Sequence, residues 1–186
     1  MMKIITFQHK EVLKQIKENG VYLAEHDSLY KNNTPICYNL IFNNIKNKHP
    51  QANNPIFGWY AVIDNDNNNL KVDARTIKRC LEMTSFDEHD YLILELEKNE
   101  DEVSLQDFYN FVDARCEEEG FDTYYDKFED FPFETVFEYT KDSEVQCVFS
   151  HINKADIKNV YSYKKDDNCY IIKKLDNFNT VSEETE

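Results

Sequence analysis

Two glutamines are the residues whose type and setting could do chemistry in this chain. Between Glu144 and Lys164 the sequence alternates like a strand through Val145, Cys147 and Phe149, which sends Gln146, Val148 and Ser150 to the opposite face. A primary amide in mid-strand is either a ligand-orienting group or a residue of a wet sheet face. Near the other end of the chain, Gln8 follows the β-rich run Lys3 to Phe7. An amide brings donors and an acceptor without charge, so Gln8 and Gln146 facing one hollow could orient a ligand. Taken singly, each could instead satisfy buried backbone groups. His26, His49, His89 and His151 lie in polar contexts without the spacing of metal ligands on one helix, and read as surface residues. Sequence order assigns no Ser-His-Asp or Cys-His set, because such partners meet only in space. Asp64, Asp66 and Asn68 imitate the opening of a calcium loop. Asn69 stands where that loop needs glycine and Arg75 where it needs glutamate, which argues against calcium.

The elements that must position these residues follow from periodicity and punctuation. Lys3 to Phe7 predicts a strand and Lys10 to Glu18 a helix with Val12, Leu13 and Ile16 on one side, stopped at Asn19-Gly20. Val21 to Ala24 reads as a second strand. Thr34-Pro35 is an N-cap and first-turn pair for a helix striped by Cys37, Leu40, Ile41 and Ile45. Residues 55–64 (PIFGWYAVID) form a strand carrying the only tryptophan, Trp59, and end in an Asp/Asn-rich loop. Residues 73–86 fit no single element. Tyr91 to Glu97 is the clearest strand, with Leu92, Leu94 and Leu96 on one face. Ser104 opens a helix with Asp107 in the capping-box position, followed by Phe108, Phe111 and Val112 at helical spacing up to Gly120. Residues 121–135 are acidic and aromatic, a surface excursion pinned by rings. The strand with Gln146 breaks at Asn153-Lys154 and resumes at Val160-Tyr161; Cys169 to Leu175 is a final strand. Without a regular βαβ rhythm, the expectation is one α+β domain over residues 1–176. Its sheet is mixed and mostly antiparallel, covered by about three helices, with a flexible acidic tail over 177–186.

Composition narrows the function classes. A chain of 186 residues with 41% hydrophobic and 14% aromatic content can bury a sizeable core. A net charge of −15, from 36 acidic against 21 basic residues, opposes unassisted binding to a nucleic-acid backbone. Only three glycines leave no material for a glycine-rich phosphate loop. The five cysteines are odd in number and form no C-x-x-C pair, the pattern of reduced thiols in a cytoplasmic protein and not of a zinc site. No apolar run approaches the roughly 20 residues that span a bilayer.

Several motifs in order carry a resemblance: Thr6-Phe7-Gln8, a helix ending at Gly20, Pro55 to Trp59, the Tyr91 to Glu97 strand running into Ser104-Leu105-Gln106-Asp107-Phe108, and Val145 to Phe149. Together they resemble a bacterial family catalogued as domain of unknown function three thousand eight hundred and forty-one, over roughly residues 3 to 164. The resemblance implies an architecture and no reaction. A fainter similarity is to the layout of ADP-ribosyltransferase-type NAD-binding domains, which need no glycine-rich loop. It implies NAD as cofactor, Gln146 in the late-strand role, Gln8 or His9 in the first-strand role, and Tyr22, Trp59 or Tyr60 stacking on the nicotinamide. The neutral Gln146 departs from the glutamate of the most active members.

Two function classes therefore stand side by side. One is a small-ligand or nucleotide cleft of NAD type. The other is a non-enzymatic acidic protein that binds or blocks a basic protein partner, with residues 124–138 as its contact: rings as anchors, carboxylates as the steering charge.

Overall fold

The computed structural model describes residues 1–24, 33–50, 54–60, 62–64, 69–71, 90–121, 125, 127–140, 143–166 and 169–175. The sequence features placed at 73–86, on the Asp66 loop, at His26, His89 and Cys80, and in the tail lie outside them. In chain order the strands and helices are β1 (Met2–His9), α1 (Lys10–Asn19), β2 (Val21–Leu23), α2 (Pro35–Lys48), β3 (Ile56–Tyr60), β4 (Val62–Asp64), β5 (Asn69–Lys71), β6 (Tyr91–Lys98), β7 (Ser104–Asp107), α3 (Phe108–Glu119), β8 (Val145–Phe149), β9 (His151–Asn153), β10 (Ile157–Asp166) and β11 (Cys169–Lys174). The fold is α+β, with three α-helices among the described residues and strand pairing that is mostly antiparallel. No helix among them is long and apolar enough to cross a membrane. The chain's contacts divide it into two compact units, residues 1–22, 60–98 and 152–186, and residues 23–59 and 99–151.

In the first unit β6 lies between β1 and β10, antiparallel to both, and β11 pairs with the outer edge of β10. Both faces of β6 are covered: Leu92, Leu94 and Leu96 are buried on one, Ile93 and Glu95 on the other. This is why the run reads as nearly continuous apolar sequence. Ile5, Ile93 and Tyr163 form the core of the second face, each such side chain contributing roughly 1.5–3 kcal/mol through burial. The polar groups on β6 are satisfied locally. Glu95 accepts hydrogen bonds from Asn159 Nδ2 (2.8 Å) and Tyr161 Oη (2.7 Å). Lys98, with its side chain wholly buried, meets Asp156 at 2.7 Å. Burial, and then the Glu95 carboxylate, push the Tyr161 phenol up to about 12. The stripe Val12, Leu13 and Ile16 buries α1, which ends at Gly20 in the left-handed conformation (φ 79°), where an L side chain would be strained.

In the second unit β8 is central, paired antiparallel with β3 and β7. One row across it is Phe57, Val148 and Ser104; the next is Trp59, Gln146 and Gln106. The core joins Cys37, Ile41 and Ile45 of α2 to Phe111 and Ala114 of α3, with Phe131, Val136 and Val148. Residues 128–137 are two 3-10 turns whose rings, Phe128, Phe131 and Phe133, pack edge to face or tilted at 5.0–5.2 Å. The aromatic excursion read in the sequence is thus held by its own side chains.

The helix start at Ser104 is corrected. Ser104–Asp107 is strand, and α3 begins at Phe108 with Asp107 as its N-cap, Oδ1 accepting from Tyr109 N (2.9 Å) and Asn110 N (3.0 Å). The S-x-x-D spacing imitates a capping box, but pairing of Ser104–Asp107 with Val145–Val148 satisfies the backbone better than an extra helical turn would. At α2, Thr34 sits at the N-cap position and Pro35 opens the helix, yet the Thr34 side chain makes no capping bond. Glu118 of α3 does that work instead: its two oxygens accept from Ile36 N (2.7 Å) and Cys37 N (2.8 Å).

Candidate functional site

Each residue singled out from the sequence has a definite place. Gln8 in the first unit is half-buried and donates through Nε2 to Thr6 Oγ1 at 2.7 Å. His9, the next residue, points to the other face of β1: it lies across from Tyr91, edge to face at 5.3 Å, and its Nδ1 caps α1 by accepting from Glu11 N. Gln8 and His9 therefore serve opposite faces. Tyr22 is half-buried in β2, and Tyr60 is 37% exposed at the end of β3.

Gln146 and Trp59 belong to the second unit and are cross-strand neighbours. The amide of Gln146 is engaged by a residue that the sequence did not single out: Gln106 Nε2 donates to Gln146 Oε1 at 2.5 Å. Gln106 is fully buried, and its own Oε1 has no hydrogen-bond partner. The ring of Trp59, 9% exposed, packs on Phe108 with centroids 4.9 Å apart. The row Trp59, Gln146, Gln106 is thus an aromatic ring beside a self-paired amide couple, roofed at Trp59 by the first residue of α3. The signal for Gln106 was present as the period-two run Ser104 to Asp107.

A cavity of about 640 Å³ opens along the outer side of α3. Asp107, Asn110, Asp113 and Glu117 form its helical wall, recurring every three or four residues on one helix face. Tyr125, Phe131, Thr135, Glu138 and Tyr139 form the facing wall. The two walls are tied where Asn110 Nδ2 donates to Thr135 O at 2.8 Å. Four carboxylates and three aromatic rings line this cleft, and among the described residues no lysine, arginine or histidine does. Glu117 is only 5% exposed. Clefts walled by low-dielectric protein focus the field of one sign of charge, so this one attracts cations and repels anions. Ring faces add to that attraction, and carboxylate oxygens give it direction.

Cys37, Cys116 and Cys147 form no disulfide. Burial, and then the Glu118 carboxylate, hold the Cys37 thiol far above its ordinary range; burial alone does so for Cys147. Comparison with known proteins gives no match to this chain among protein-family models, curated proteins or solved structures.

Proposed function

We propose that this chain is an interaction protein whose second unit receives a cationic side chain, lysine or arginine, of a basic protein partner. The observation that carries this reading is the cleft of about 640 Å³ lined by four carboxylates and three rings with no cation among its described residues. A buried cation–ring contact contributes about 2 kcal/mol, and a hydrogen bond to a charged group about 1.5–3 kcal/mol. One docked guanidinium could thus serve as the anchor of a larger interface, while the net charge of −15 speeds the encounter with a basic surface. The NAD reading draws less support from the same geometry. The pyrophosphate of a dinucleotide is anionic and the cleft is acidic, Gln146 is occupied by Gln106, and the ring of Trp59 already packs on Phe108.

A fluorescent oligo-arginine peptide tests the proposal by anisotropy. It is expected to bind, to weaken as salt rises, and to be lost in Asp113→Lys with Glu138→Lys. Glu11→Lys, also exposed but on α1, should leave binding nearly unchanged. Equal weakening by both sets of reversals would reduce the effect to bulk acidity and overturn the cleft. Millimolar NAD is expected to leave the thermal midpoint where it is; a rise would favour the nucleotide reading instead.

A further inference from the structure

We infer that the cation this cleft selects is an N-methylated lysine of the partner, an inference that rests on the cleft reading above. Every residue it uses belongs to the second unit. Two of the lining rings make a corner: Tyr125 and Phe131 lie 5.7 Å apart between centroids, with their planes at 70°. Phe131 also packs on Phe133 at 5.2 Å and belongs to the core of the unit, so its ring is fixed before any ligand arrives. Tyr125 and a third lining ring, Tyr139, are exposed. Large rings left open beside a concave surface are the residue type that anchors interfaces.

Shape and hydration then choose among cations. A flat guanidinium stacks on one ring plane, whereas a methylated ammonium is round and rests against both planes of a corner. An unmodified lysine ammonium is compact and strongly hydrated, and ring carbons replace none of the hydrogen bonds it gives up. Methyl groups take the place of those N–H donors while the charge stays, so less hydration is lost and apolar surface is buried on the rings. Neutral polar groups of the cleft already serve the fold: Asn110 Nδ2 donates to Thr135 O at 2.8 Å, and Thr135 Oγ1 to Pro132 O at 2.7 Å. The counter-charge falls to the exposed Asp113 and Glu138, one on each wall. Among the described residues no three of the cleft's carboxylates bring oxygens within 4.8 Å of one another. Negative charge spread in this way suits a broad cation, not a metal ion that gathers its oxygens closely.

The test is anisotropy of the full chain with fluorescent basic peptides identical except at one lysine. That lysine is unmodified, dimethylated, trimethylated, or replaced by the neutral analogue of the trimethyl form with carbon in place of nitrogen. Both methylated peptides are expected to bind at least about fivefold tighter than the unmodified one. The neutral analogue, which keeps the shape and lacks the charge, should bind no tighter than unmodified lysine. Tyr139→Leu, at an exposed ring, should flatten the preference while leaving the salt dependence of oligo-arginine binding in place. Equal affinity for all four peptides, with oligo-arginine still bound, would overturn the methyl-lysine inference and leave the acidic cleft standing. Failure of every peptide to bind, oligo-arginine included, would overturn both. The peptide series uses the unaltered protein, so it decides the matter even where a variant fails to fold.

Discussion

Replacing Glu118 with alanine removes both acceptors that close the N-terminus of α2. The first N–H groups of a helix have no partner within it, and here two of them are held by one carboxylate from a helix about eighty residues further along the chain. Hydrogen bonds to a charged acceptor contribute about 1.5–3 kcal/mol each. The bond to Ile36 N is exposed and counts at or below the low end, and the bond to Cys37 N is half-buried. The total comes to about 3 kcal/mol for Glu118→Ala, including the favourable charge at the positive end of the helix dipole. Glu118→Gln keeps one acceptor and loses the charge, so about half of that is expected. Trp59 makes the assay selective, because it is the only tryptophan, is 9% exposed, and belongs to the same unit as α2 and α3. Followed by its fluorescence in urea, Glu118→Ala should move the midpoint down by roughly 1.5 M for a slope of about 2 kcal/mol per molar. Glu119→Ala is the control: it breaks only the 3.6 Å pair with Arg115 and should shift stability by less than about 0.5 kcal/mol. If both alanine variants melt together with the parent, the capping argument fails.

In the first unit, Asp156→Asn should cost about 3–5 kcal/mol, because it leaves the Lys98 ammonium buried without its charge partner, whereas Lys98→Met should cost far less; circular dichroism in urea ranks them, and the reverse order would refute the account. In the amide couple, Gln106→Leu and Gln146→Leu should each cost about 1–3 kcal/mol singly, while the double substitution returns close to the parent, since removing both partners leaves no stranded group; additive costs would show that the bond contributes nothing. The folded Cys147 thiol stays protonated well above the pH at which an unfolded thiol ionises. Its contribution is therefore complete below about pH 9 and declines as pH rises beyond, at up to about 1.4 kcal/mol per pH unit. Cys147→Ala should flatten the fall in stability above about pH 9, and an unchanged slope would contradict the assignment.

What was legible in the sequence is what neighbours in the chain decide among themselves. The stripe Val12, Leu13 and Ile16 with Gly20 behind it gave α1 and its end. The run from Tyr91 gave β6, and the alternation around Gln146 gave β8 with its two faces. The start of α3 was misread because Ser104 to Asp107 satisfies two local rules, a capping box and a strand, and only pairing with β8 chooses between them. The cap from Glu118, the Lys98–Asp156 pair and the bonds to Glu95 join residues some sixty to eighty apart, so no window of sequence contains both partners. Gln106 escaped notice for the same reason: its meaning comes from lying across from Gln146.

The same distinction bears on where function resides. Polar groups that the fold buries for its own stability are matched with opposite chemistry: Lys98 with Asp156, Glu95 with a phenol and an amide, Glu118 with two backbone N–H groups. The cleft beside α3 breaks that habit. Of its four carboxylates, Asp107 is committed to capping the helix, while Asp113 and Glu138 are exposed on its walls. Like charges around a concave, partly desolvated surface cost stability. A sequence under selection for stability alone could relieve that cost with a single lysine or arginine. On the reading proposed here the cost persists because a cation of the partner offsets it. A basic residue placed inside the cleft at an exposed carboxylate, Asp113→Lys, should then stabilise the second unit against urea while abolishing the binding of oligo-arginine. Stabilisation with binding intact would separate the charge of the cleft from its use.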